Sequence, residues 1–309
     1  MTLVELQYLV ALATTRHFGR AALASHVSQP ALSAAIKHLE EELGATLVER
    51  AQSGARLTPT GERVAAQARR VLDAAVRVVL EARDSPRPLT GRLRLGAIAT
   101  LAPFAIGPLL VPLQRAHPQL DLVLREGLTE DLLARLRLGE LDAVLMALPA
   151  REAGVEAEAI FDEPFVALVS ARSPLAKRRS VRPEELSAGP LILLTEGHCF
   201  RDQALAVCHG HLALEEPSRD PLAATSLHTV WHMVEANMGA TLIPQLAADE
   251  ILRAKSDVRV KPLTAPGPSR RIGIVWRAGS AVTDDALALA AFLRGHLPDT
   301  LAPVPPPAR

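Results

Sequence analysis

Residues 18–50 read FGRAALASHVSQPALSAAIKHLEEELGATLVER, and this stretch decides the fold. Gly19 to Ala24 can form a short helix in which Ala21, Ala22 and Leu23 offer a close-packing face. After Val27, Ser28 can cap a new helix, and Pro30 is tolerated in its first turn, where a missing N–H leaves no bond unmade. That helix continues as ALSAAIKHLEEEL and stops at Gly44, a residue suited to a left-handed cap. Ala31, Leu32, Ala35, Ile36 and Leu39 form its expected buried stripe, leaving Gln29, Ser33 and Lys37 on the other face. Upstream, Leu3, Leu6, Leu9, Val10 and Ala13 recur at helical spacing.

Two short helices joined by a tight turn, the second opening on polar residues, match the helix-turn-helix, whose second helix enters the DNA major groove. Gln29 and Ser33 then reach base edges and Lys37 a phosphate or a guanine. An ordinary three-helix packing unit shares this spacing, and local charge does not separate the two, because Glu40, Glu41 and Glu42 follow Lys37. The next segment favours DNA. In TLVERAQSGARLTPTGE, residues 46–62, Arg50 and Arg56 flank a glycine-containing turn, as in a two-stranded wing whose arginines lie against the DNA backbone. A long amphipathic helix starts near Gly61. It has no obvious partner in its own chain, so pairing with a second copy is expected.

The 309 residues carry 34 basic and 34 acidic side chains, so any nucleic-acid binding rests on a local surface and not on a polybasic coat. The length exceeds what one core of about 250–300 residues usually supports. Two cysteines are too few for a stapled secreted scaffold, and MTLVELQYLV places Glu5 where an export signal wants basic and apolar residues, so a cytosolic location is expected. The uncharged run from Leu95 to Gln114 is broken by Pro103, Pro108 and Pro112 and reads as a strand, a turn and a buried helix start, not a membrane span. DSPRPLTG, from Asp84 to Gly91, is the expected linker. Beyond it come the apolar runs RLRLGAI from Arg92, LDLVLREG from Leu120, LDAVLMAL from Leu141, PFVALVSA from Pro164, PLILLTEG from Pro190, ATLIPQ from Ala240 and RIGIVWRA from Arg271. Alternation of such strands with helical patterns predicts α/β units with parallel sheet. The final LAPVPPPAR is expected to be a disordered tail.

The stretch 18–50 followed by LTPTGE resembles the winged helix-turn-helix of LysR-type transcriptional regulators, and the similarity runs over nearly the whole chain. The resemblance implies a winged DNA-binding domain over 1–60, a dimerising linker helix over 61–89 and an effector module over 90–309. That module is implied to have two α/β subdomains like those of periplasmic binding proteins. Subdomain I covers about 90–162 and 269–300, subdomain II about 163–268, and a tail 301–309. Ser28, Gln29, Pro30, Ser33, Lys37, Arg50 and Arg56 form the implied DNA-contacting set.

The only cysteines, Cys199 and Cys208, lie in LLTEGHCFRDQALAVCHGH. They can be small buried hydrophobes, or join His198, His209 and His211 in a soft metal site, or form a redox pair. The redox reading has a physical handle. Cys199 follows an apolar strand, in the crevice where open α/β sheets bind ligands, flanked by His198 and Arg201, and positive neighbours favour the reactive thiolate. FRDQALAVC has helical propensity, and nine residues of helix separate Cα atoms by about 13.5 Å. A disulfide needs about 7 Å or less, so the helix must unwind before the bond forms.

The segment GHCFRDQALAVC also resembles the sensing loop of the peroxide-responsive members of the LysR family, as do IATLAPFAIGPLL, LTEDLLARLRLGELDAVLMAL and SLHTVWHMVEANMGATLIPQLA. By that resemblance Cys199 is the peroxidatic cysteine and Cys208 the resolving one. Thr100, Thr129 and His198 line the peroxide pocket, and Arg201, Asp202 and Arg277 support it. The implied partners are promoter DNA, RNA polymerase, further copies of the chain as a dimer of dimers, and a cytosolic thiol reductant. No metal or cofactor is implied. Trp276-Arg277-Ala278-Gly279 departs from the usual Tyr-Arg-Pro-Gly, and Phe104 to Gly107 lacks the usual Tyr. A LysR regulator answering a small organic inducer in the inter-subdomain cleft is the alternative. A thiol peroxidase shares the first chemical step, but it gives no reason for a DNA-binding module, which also argues against a solute-binding protein.

Overall fold

The computed structural model describes residues 1–51, 54–81, 88–150, 152–209, 222–254, 256–265 and 267–305. Its first three helices are α1 (Leu3–Thr15), α2 (Phe18–Ala24) and α3 (Gln29–Leu43). Ser28 caps α3 as expected, its hydroxyl accepting from the Ala31 N–H at 3.3 Å, and Gly44 ends it at φ +63. Leu32, Ile36 and Leu39 pack against Leu6, Leu9, Leu12, Ala21 and Ala22 in one core. Ala31 is exposed and does not belong to that stripe. It stands about 100° round the helix from Leu32, off the line that Leu32, Ile36 and Leu39 define at i, i+4 and i+7.

Strands β1 (Val48–Ala51) and β2 (Gly54–Leu57) pair antiparallel as a wing, with Glu49 opposite Arg56. Helix α4 (Pro59–Glu81) begins two residues before Gly61, because Thr58 supplies its cap. The Thr58 hydroxyl accepts from the Gly61 N–H at 2.9 Å and donates to the Thr46 carbonyl at 2.8 Å. A Cβ on Gly61 would stand 2.0 Å from the Leu47 carbonyl oxygen. Gly61→Ala is therefore expected to destabilise the winged module by about 1–3 kcal/mol, read as a lower urea midpoint of the full chain. Helix α4 does have a partner in its own chain: Ala65 and Ala68 are buried in the α1–α3 core, with Val64 and Leu72 against it. An apolar face with exposed Val71 and Val78 is left over.

The linker residues Asp84 to Arg87 lie outside the described residues. The chain is described again from Pro88, and the Leu89 N–H donates to the Asp285 carboxylate at 2.6 Å. There follow β3 (Gly91–Ile98), α5 (Leu110–Ala116), β4 (Leu120–Gly127), α6 (Thr129–Arg137), β5 (Ala143–Leu148), β6 (Val155–Ser170), α7 (Pro183–Leu186), β7 (Leu193–Leu194) and α8 (Cys199–His209). Then come β8 (Ala223–Ala224), α9 (Leu227–Glu235), β9 (Thr241–Pro244), α10 (Gln245–Arg253), β10 (Val258–Pro262), β11 (Ser269–Arg277), α11 (Thr283–Arg294) and β12 (Ala302–Pro303).

The main sheet runs β10-β6-β11-β5-β3-β4, with β9 and β12 also pairing with β6. Among the described residues the only parallel neighbours in this sheet are β3 with β4 and β3 with β5, so the sheet is mixed where a parallel one was expected. The cause is β6, sixteen residues long, which serves both halves of the effector module. Its first part pairs with β11 and its last part with β9 and β10, all antiparallel. The chain crosses near Glu163 to Phe165 and returns at Pro268, whose carbonyl accepts from the Phe165 N–H at 2.9 Å. PLILLTEG yields only the two-residue β7, in a small parallel pair with β8. The tail is not disordered where it is described: Leu301 is buried, β12 pairs with Phe161 and Asp162, and the Val304 N–H donates to Ile160 at 2.9 Å. A buried leucine and edge hydrogen bonds hold it despite its prolines; residues 306–309 lie outside the described residues. Among the described residues no helix is long and apolar enough to cross a membrane.

Candidate functional site

Where β3 and β4 end, their following turns meet the first turn of α8. Ile98, Ala99, Thr100, Gly127, Leu128, Thr129, His198 and Cys199 enclose a space of about 10 Å³, room for the centre of one water-sized molecule. Thr100 and Thr129 come from one half of the effector module, His198 and Cys199 from the other. Gly197, at φ +88, makes the turn that aims the last two inward; a Cβ there would meet Leu128 Cδ1 at 2.9 Å.

Thr100 is buried, and its hydroxyl accepts from Arg270 Nη1 at 2.8 Å while its carbonyl accepts from Nη2 at 3.2 Å. An oxygen that accepts from arginine must direct its own proton elsewhere. Arg270 in turn pairs with fully buried Glu163 at 2.8 Å, and Glu163 also accepts the Leu246 N–H at 3.0 Å. The guanidinium lies 5.4 Å from the centre of the Phe200 ring, next in sequence to Cys199. Neither Arg270 nor Glu163 was expected from the sequence. Strand alternation offered a signal, since Arg270 is in phase with buried Ile272 and Ile274, whereas Arg271 points outward to Asp162 at 2.8 Å.

Among the described residues the Thr129 hydroxyl oxygen is buried without a protein partner. Burial lowers the pKa of His198, so its imidazole is neutral at pH 7 and does not act as the positive neighbour expected beside Cys199. Three further residues of the implied set stand away from the pocket lining. Arg201 donates to the Leu194 carbonyl at 3.0 Å and Asp202 is exposed on the first turn of α8, neither lining the pocket. Arg277 stands seven residues from Arg270 along β11, about 24 Å away, and donates to the carbonyls of Leu136 and Leu141, both at 2.8 Å. It belongs to the opposite end of the sheet because β11 runs antiparallel to β5.

Cys199 is half-buried and Cys208 buried, both as free thiols. They occupy the two ends of α8, nine residues apart, so about 13.5 Å of helix separates their Cα atoms. Burial, helped by the charge of Glu184, pushes the Cys208 thiol up to about 12. The same separation keeps the two sulfurs from sharing one ion; the His209 side chain and His211 lie outside the described residues.

On the winged module, Ser28, Gln29, Pro30 and Lys37 are exposed and Ser33 is half-buried, along one face of α3. Arg56 is exposed on β2, while Arg50 is placed by its backbone opposite Ala55 and its side chain lies outside the description. The three glutamates after Lys37 are engaged. Glu40 accepts the N–H groups of Leu47 and Val48 at 2.7 and 3.0 Å, Glu41 pairs with Lys37 at 3.5 Å, and Glu42 binds the Met1 amine.

A helix-turn-helix with a wing, joined to an α/β module carrying a thiol pocket, is the architecture of a one-chain DNA-binding regulator. Residues 3–62 match the family described as "Bacterial regulatory helix-turn-helix protein, lysR family" and residues 86–298 match "LysR substrate binding domain". The chain belongs to the LysR family. It is 41% identical, over 94% of its length and 93% of the relative's, to a "Probable hydrogen peroxide-inducible genes activator" of Mycobacterium avium. It is 38% identical to the "DNA-binding transcriptional dual regulator OxyR" of Escherichia coli K12, over 96% of both chains. A solved structure, "Full-length OxyR C199D from pseudomonas aeruginosa", superposes with a TM-score of 0.85 at 41% identity, covering 95% of each chain.

Proposed function

We propose that this chain is a DNA-binding transcriptional activator that senses hydrogen peroxide through reversible Cys199–Cys208 disulfide formation. One observation carries this reading: Cys199 lines a pocket sized for a single small molecule, on a helix that holds the second thiol out of reach. The Cys199 thiolate attacks one peroxide oxygen, an S–O bond forms, the O–O bond breaks, and the leaving hydroxide takes a proton to become water. Two electrons pass from sulfur to peroxide. Thr100, its hydroxyl oxygen already taken by Arg270, donates its proton into the pocket; Thr129 and neutral His198 supply the remaining hydrogen bonds. Cys208 then attacks the sulfenyl sulfur, an S–S bond forms, and the Cys199 oxygen leaves as a second water. Thiol–disulfide exchange with a cytosolic dithiol returns both thiols and oxidises that reductant.

The DNA-facing set is Ser28, Gln29, Pro30, Ser33, Lys37, Arg50 and Arg56, in a domain over 1–60. The remainder of α4 pairs copies, and a dimer of dimers on the promoter presents RNA polymerase with a redox-dependent surface. One oxidation per signal suffices, so turnover as a peroxidase is not required. A pocket this small does not favour an organic inducer at the same place.

The test is a brief peroxide pulse on the full chain and on Cys199→Ser, followed by nonreducing peptide mass mapping and promoter footprinting. The wild type should yield a 199–208 crosslink and a changed footprint, and the variant neither. A normal peroxide response from Cys199→Ser overturns the assignment.

A further inference from the structure

At the end of the sheet opposite the thiol pocket, two loops of the effector module face the long helix of the DNA-binding half. In the turn between α6 and β5, Gly139 sits at φ +70, and an added Cβ would lie 2.9 Å from Arg69 Cδ. In the turn before β6, Gly154 sits at φ +74, and an added Cβ would lie 3.4 Å from Arg70 Nη2. Two consecutive arginines of α4 thus lie against two glycines in the left-handed region, where an L side chain would be strained; a Cβ on Gly139 would also crowd Arg69, whose side chain is buried, while Arg70 stands at ordinary contact distance from Gly154. Both loops are tied to the last residues of β11. Arg277 binds the carbonyls of Leu136 and Leu141, and the Ala278 N–H donates to Gly154 at 3.0 Å. Arg137 and Glu152 join the loops to each other at 3.7 Å. This gives Arg277, remote from the peroxide pocket, a place in the structure: it fixes a cradle.

Helix α6 runs from one site to the other. Its first residue, Thr129, and the preceding Leu128 line the thiol pocket, and its last turn leads into Gly139. Leu132, Leu133 and Leu136 are buried along it, so about 13.5 Å of close-packed helix spans the distance between the two sites. Closing a Cys199–Cys208 bond requires α8 to unwind, and in the relay put forward below that unwinding draws Cys199, with Gly197 and His198, away from Leu128 and Thr129.

We propose that α6 and its two-glycine cradle relay the redox state of Cys199 to the DNA-binding half: α4 is docked on Gly139 and Gly154 in the thiol form and released in the disulfide form. The relay rests on the sensor reading above. It couples the sites through differential contacts in two states, as allostery requires.

Arg69→Ala removes the peg from the cradle and leaves the thiol pocket intact. In the full chain, amides 136–141 and those around Arg69 should exchange hydrogen faster after peroxide oxidation of the wild type. The wild type should also show about a fivefold or larger difference in operator affinity between its redox forms. In Arg69→Ala that difference should fall to near one, with the reduced protein giving the oxidised footprint, while mass mapping shows the same crosslink yield as wild type. A variant that keeps the full redox shift overturns the relay, as does unchanged exchange at 136–141 in crosslinked wild type. If wild type forms no crosslink at all, the sensor reading has failed, and the mass map of the same samples shows which of the two was wrong.

Discussion

Glu163→Ala is expected to destabilise the effector module by about 3–5 kcal/mol, the loss typical when one member of a buried ion pair is removed. Glu163 and Arg270 are almost fully shielded from solvent, with side-chain exposures of 0% and 1%. Deleting the carboxylate strands a guanidinium in the interior and leaves the Leu246 N–H, at the start of α10, without its acceptor. The damage extends across the seam, because Glu163 lies where β6 passes from one half to the other and Arg270 reaches Thr100 on the far side. Glu163→Leu combined with Arg270→Met is expected to recover most of the stability, since packed apolar residues often replace a buried pair at little cost. The double variant should still react slowly with peroxide, because Thr100 loses the donor that orients its hydroxyl. Urea unfolding and the rate of Cys199 thiol loss, measured on the same variants, separate the two roles. A loss below about 1 kcal/mol for Glu163→Ala removes the clamp from the account.

The DNA-binding half was legible because its signals are local. Ser28, Pro30 and Gly44 each act within one turn of α3, and the α3 stripe follows from helical period alone. The effector half was harder wherever an element answers to distant neighbours. The first half of β6 carries Glu156, Glu158 and Asp162 and shows no apolar run, yet it is central because β11 pairs along its whole length. The tail binds an edge that no composition rule reveals. Among the site residues, the resemblance pointed to Thr100, Thr129, His198 and Cys199, and the structure brings these four around one small space. Arg277 was misplaced, and Arg270 overlooked, for one reason: both are arginines of β11, and only strand register decides which end of the sheet each one serves.

Cys208 in the reduced protein is expected to alkylate about 1000-fold more slowly than an ordinary cysteine below pH 9, beyond any steric protection. Its thiol is raised from an ordinary 9.0 to about 12, and each unit costs a factor of ten in thiolate, the reacting species. The sign for stability follows. A raised acid favours the closed helix while it stays protonated, so that contribution is complete below pH 9 and fades as pH climbs through 12. Alkylation of Cys208 by iodoacetamide should therefore rise about tenfold per pH unit across this window, and should jump at any pH once dilute urea frays the C-terminal turn of α8. Uncovering the thiol restores its ordinary acidity, so the unwinding that shortens the distance to Cys199 also generates the nucleophile. Cys208→Ser, lacking that nucleophile, should accumulate Cys199 as the sulfenic acid under peroxide. If Cys208 instead alkylates at the rate of a free thiol at about pH 8 without oxidant or urea, the helix is not a gate, and the order of steps from peroxide to crosslink must be set elsewhere in the molecule.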